Sequence, residues 1–173
     1  LTFKAGSADT VITMAGLNAT DSLTGGASAK DSVSASSVSG LDATTGALNI
    51  SAFETVALTT SGANTIDMTN MVGVTTLSVT ANTQTITSAD LATSFKVEGD
   101  GGTLKITAAD ATGAADTLNV YTNNSANNND TLTIGASAGV ETLALTLEDS
   151  DTTAANLTTY TLTDLAVTSI TAV

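Results

Sequence analysis

The side chains of this chain that could do chemistry are almost all carboxylates. There are 17 acidic residues against 4 lysines, with no arginine, histidine or cysteine. Clustered oxygen donors in turns suit a hard cation such as calcium, which takes carboxylates, amide oxygens and backbone carbonyls. In Glu98-Gly99-Asp100-Gly101-Gly102 the glycines permit the tight, left-handed geometry that lets two carboxylates and backbone carbonyls converge. Glu148-Asp149-Ser150-Asp151 places three carboxylates in one short loop. Asp9 and Asp31 come just before the apolar positions Val11 and Val33, and Asp116 and Asp130 just before Leu118 and Leu132. An Asp at a strand end also hydrogen-bonds its own backbone, so turn chemistry competes with metal binding at each of these positions. The candidate calcium ligands are Asp31, Glu98, Asp100, Asp116, Asp130, Glu148, Asp149 and Asp151.

The same inventory excludes much else. A formal net charge of −13 with scattered lysines leaves nothing to neutralise phosphates, so nucleic acid is not a partner. A basic membrane-surface patch is excluded on the same ground, and no apolar run is long enough to insert into a bilayer. Without Cys or His there is no thiol nucleophile, no Ser-His-Asp triad and no His-based metal site. Cleavage of acidic polysaccharides would need cations to hold the substrate, so the chain is not expected to be an enzyme.

The elements that must carry these carboxylates are strands. Threonine is abundant, proline absent and only 3% of residues are aromatic, so the core is built from Val, Leu, Ile, Ala and Thr. A phrase of period-two alternation recurs as Phe53-Glu54-Thr55-Val56-Ala57-Leu58, Val74-Thr75-Thr76-Leu77-Ser78-Val79 and Val140-Glu141-Thr142-Leu143-Ala144-Leu145. Looser copies fall around Phe95, Leu118 and Ile170. Successive copies from Val56 through Leu77, Phe95, Leu118 and Leu143 to Ile170 lie 18 to 27 residues apart, the size of one coil of a repeat stack. The expected fold is all-β, an irregular parallel β-solenoid of short strands in which Thr residues form outward ladders. An antiparallel β-sandwich would produce similar alternation. Residues 1–45 form a Gly/Ser/Asp-rich strand-turn segment and residues 46–173 the solenoid-like repeats, and the chain reads as a segment of a longer one. Glu54 and Glu141 recur at like positions of the phrase, as outward rungs or ligands between subunits.

Two places resemble a known family. Ser22-Leu23-Thr24-Gly25-Gly26-Ala27-Ser28-Ala29-Lys30-Asp31-Ser32-Val33 is similar to a degenerate RTX repeat, the Gly-Gly-x-Gly-x-Asp nonapeptide, with one residue more before the Asp. Ala52-Phe53-Glu54-Thr55-Val56 and Gly139-Val140-Glu141-Thr142-Leu143 resemble a phrase of RTX-type bacterial surface-layer proteins of the Caulobacter kind. That resemblance implies a calcium-ordered, self-assembling coat or filament on the outside of a Gram-negative cell, secreted through a type I exporter. Its partner would be further copies of itself. The other class left open is an adhesin or biofilm-matrix module that binds glycans such as cell-surface polysaccharide.

Overall fold

A computed structural model of the chain describes all residues except 39–46, 61, 81, 100, 125–129, 137, 151–157, 164–166, 168 and 173. Regular structure among the described residues is entirely strand, arranged in successive coils. The first coil carries β1 (Thr2–Lys4) and β2 (Val11–Met14), and the second β3 (Ser22–Thr24) and β4 (Ser32–Val38). The third has β5 (Asn49–Ser51), β6 (Thr55–Thr60) and β7 (Asn64–Asp67), and the fourth β8 (Met71–Val72), β9 (Thr76–Thr80) and β10 (Thr83–Ala89). The fifth has β11 (Ser94–Glu98) and β12 (Gly102–Ala108), and the sixth β13 (Thr117–Asn124) and β14 (Asp130–Ala136). Last come β15 (Thr142–Asp149), β16 (Thr158–Thr163) and β17 (Ser169–Ala172).

Every pairing between these strands is parallel. Each strand lies on its counterpart one coil earlier, so the molecule is a parallel β-solenoid and the antiparallel sandwich is ruled out. One face has eight strands in the order β17-β15-β13-β11-β9-β6-β4-β2. A four-stranded face, β1-β3-β5-β8, closes the early coils, and a five-stranded face, β16-β14-β12-β10-β7, closes the later ones. β4 pairs with β6 from Ser32 against Thr55 to Val38 against Thr60.

Period-two alternation works as expected, because successive side chains on a strand point to opposite sides and only one side is dry. In β9, for example, Leu77 and Val79 are buried while Thr76, Ser78 and Thr80 are not fully so. Equivalent inward residues stack coil on coil: Val33, Val56, Leu77, Phe95, Val120 and Leu145 make one column of the eight-stranded face. Ile66, Ile86, Ile106 and Ala136 make another on the five-stranded face. Thr83, Thr103, Thr133 and Thr161 form an outward threonine ladder.

The register departs from the sequence expectation at one place. Phe95 pairs with Val120, whereas Leu118 pairs with Leu143 and Leu143 with Ile170. The column through Val56, Leu77 and Phe95 therefore does not run on through Leu118, Leu143 and Ile170. From β13 onward the strands of this face begin one inward position earlier, so a phrase that looks identical in sequence is displaced by one dyad in space. Period two hides such a slip, since both registers keep the same side of the strand inward.

Candidate functional site

Two corners of the solenoid are built alike. Where the chain enters β4 and β6, the Asp31 N–H donates to Glu54 Oε2 at 2.8 Å, while the N–H groups of Glu54 and Thr55 donate to the Asp31 carbonyl at 3.0 and 3.2 Å. Where it enters β13 and β15, the Asp116 N–H donates to Glu141 Oε2 at 2.8 Å, and the Glu141 and Thr142 N–H groups donate to the Asp116 carbonyl at 3.1 and 3.0 Å. The recurring Glu-Thr pair is thus a clasp between consecutive coils. Sequence reading singled out both Glu residues and both Asp residues, but not their pairing, because the partners are more than 20 residues apart.

Asp31 is fully buried and its carboxylate is occupied by backbone donors. The Thr10 N–H reaches Oδ1 at 2.7 Å and the Gly26 N–H reaches Oδ2 at 2.5 Å. The Gly-Gly turn is therefore folded around the Asp side chain, which joins the first and second coils, while the Asp31 backbone joins the second to the third. Buried donors left without an acceptor are expensive, so Asp31→Ala is expected to lose about 3 kcal/mol in urea unfolding with an unchanged denaturant dependence. A loss below about 1 kcal/mol would show that the carboxylate is dispensable to the corner.

The remaining candidates spread along the stack. Asp100 and Asp151 lie outside the described residues, as do the side chains of Asp130, which opens β14, and Asp149, which closes β15. Glu98 ends β11, exposed, in one column with Asn123 and Glu148. Glu148 is exposed and accepts the Tyr121 hydroxyl at 2.5 Å, which pushes the phenol above its ordinary range; Lys96 Nζ stands 5.0 Å from the centre of the same ring. Asp9 is exposed and accepts the Ser28 hydroxyl. Asp116 is half-buried, and its Oδ2 is enclosed without a hydrogen-bond partner. Among the described residues no three carboxylates come together in a metal-holding group.

A further set of turns was not read from the sequence. Asn18 accepts the Thr20 N–H and hydroxyl, Asp67 accepts those of Thr69, and Asp110 accepts those of Thr112. The spacing Asx-x-Thr is their signal, and each turns the chain at a coil corner. Burial acts to raise the Asp67 carboxyl, but the Thr69 hydroxyl and N–H outweigh it and hold the group below its ordinary value. At Asp110 the Thr112 hydroxyl, then its N–H, have the same lowering effect.

The fold and these corners define the chain as a parallel β-solenoid whose coils are clasped by Asp and Glu. No protein-family model, curated protein or solved structure matches it.

Proposed function

We propose that the chain is a structural unit of an extracellular coat or filament of the RTX surface-layer kind, self-assembling and stabilised by calcium between acidic faces. What carries this is the eight-stranded face, a parallel stack that makes a stiff, elongated scaffold, with Ser, Thr and Ala outward on β4, β6 and β9. Its outward columns, such as Thr55, Thr76 and Ser94, offer a flat surface for lateral packing. Copies carrying a net charge of −13 repel unless cations intervene, and calcium is the cation that carboxylates and amide oxygens favour.

Electron microscopy of the purified protein with and without millimolar calcium tests this reading. Ordered sheets or filaments that form with calcium and disperse in chelator are expected. Single dispersed particles under both conditions overturn it. Thermal stability should also fall in excess chelator, since an ion bound only to the folded state must stabilise it.

One observation favours the alternative of a glycan-binding module. On the outside of the eight-stranded face, Tyr121 borders a shallow depression of about 210 Å³ together with Ser94, Asn119, Ala144 and Thr146. An aromatic wall beside hydroxyl and amide groups suits a sugar ring. Persistent polysaccharide binding without assembly would favour this module over the coat.

A further inference from the structure

The corner between the five-stranded and eight-stranded faces is uneven from coil to coil. Residues 68–75 link β7 to β9 and include β8, the last strand of the four-stranded face. Residues 109–116 link β12 to β13. In the coil between them, β10 reaches β11 through Asp90, Leu91, Ala92 and Thr93 alone. A bulge at Ser88, with φ of 54°, turns the chain out of β10. The Thr93 N–H then closes on the Asp90 carbonyl at 2.9 Å, and the Thr93 hydroxyl on the Val74 carbonyl at 2.8 Å. The fifth coil cuts its corner, and a rung is missing there.

A slot of about 850 Å³ opens where that rung would lie, with Met71 and Val72 on one side, Leu91 behind, and Ala109 and Asp110 on the other side. The fourth and sixth coils are two strand spacings apart, about 9.6 Å, which is the room one extended strand takes between two neighbours. The edge of β8 is prepared to pair. The Val72 carbonyl accepts the Ala52 N–H at 2.8 Å on the β5 side, and alternate residues of a parallel ladder direct their polar groups to opposite neighbours. The Met71 carbonyl and Gly73 N–H accordingly face the slot, and the Val72 side chain is 65% exposed.

Asp116, which also lines the slot, identifies what is lacking. It holds the corner position that Asp31 holds in the second coil, and Asp31 receives the Thr10 N–H from the coil beneath. Beneath Asp116 is the shortened coil, in which β11 begins only at the level of Asn119, and Asp116 Oδ2 is enclosed with no partner. Asp90 and Asp110 add two more carboxylates, and no lysine lines the slot.

We propose that this slot is a docking site for one extended strand of a partner polypeptide. The strand adds to the free edge of β8, sets an apolar side chain against Met71 and Leu91, and brings a lysine or arginine to Asp116, Asp110 and Asp90. Backbone pairing supplies the binding energy of such strand addition, and alternate side chains supply its selectivity.

The probe is a blocked pentapeptide alternating valine and lysine, titrated into isotope-labelled protein and followed by amide NMR. A second pentapeptide carries glutamate in place of lysine. Shifts at Gly73 and residues 109–116 are expected with the lysine peptide alone, together with slower exchange of the Gly73 amide. Asp116→Asn should weaken binding about tenfold. Ala109→Trp should abolish it, since Ala109 is exposed and its N–H bond to the Ala89 carbonyl is kept, so the plug leaves the fold intact. Equal binding of the glutamate peptide, shifts confined to other faces, or full binding by Ala109→Trp overturns the proposal. So does a titration in which calcium alone moves the amides of residues 109–116 and the lysine peptide does not, which would make the slot a cation site.

Discussion

Gly25→Ala is expected to destabilise the protein by about 3 kcal/mol or more, enough to unfold the early coils. A Cβ built on Gly25 falls 1.6 Å from the Ala52 carbonyl oxygen, and one on Gly26 falls 1.9 Å from the Gly6 carbonyl oxygen. Both obstacles are backbone of adjacent coils, so neither can swing aside as a side chain would. Gly25 is already bound to that neighbour, its N–H donating to the Ser51 carbonyl at 2.7 Å. Room for a methyl group would require the second and third coils to separate, which breaks the ladder between β3 and β5. Gly6→Ala is the control, because nothing lies within 4 Å of its added Cβ. Urea unfolding followed by circular dichroism should show a large fall in midpoint for Gly25→Ala and almost none for Gly6→Ala. Similar midpoints for the two would mean that the Gly-Gly turn is not a close-approach site.

The second large effect is at Phe95. It is buried in the inward column between Leu77 and Val120, one of only 3 phenylalanines in a chain without tryptophan. Truncation to alanine removes the widest side chain of that column and should cost about 3 to 5 kcal/mol. Its neighbours are short, branched and held by ladders on both edges, so they collapse little into the space. A stack in which each coil contacts only the next loses stability locally. Hydrogen exchange should therefore rise first in β9, β11 and β13, ahead of β4. Uniform loss of protection over the whole chain would show that the coils unfold as one unit.

Much of this architecture was legible in the residues. Alternation at Val56-Ala57-Leu58, Leu77-Ser78-Val79 and Phe95-Lys96-Val97 marks strands with one dry side, and their recurrence implies stacking. Asp31 and Glu54 could be picked out as carboxylates with a task. Their actual task, holding N–H groups of adjacent coils, was not legible, because Thr10 and Asp31, and Asp31 and Glu54, lie more than 20 residues apart and meet only in the stack. The Asx turns at Asp67 and Asp110 carry a local signal, the Thr two residues on, and were open to reading. The displacement of Leu118 against Phe95 was not, since a shift of one dyad leaves every inward residue inward.

The sequence by itself determined the period, the polarity of each face, the composition of the core and the acidic surface, all of which follow from side-chain type and spacing along one strand. Tertiary structure alone decided which residues share a rung, which carboxylates are met by backbone donors, and where a rung is left out. Those depend on the lengths of the corners, and a short link such as residues 90–93 becomes a slot only when its neighbours above and below are longer.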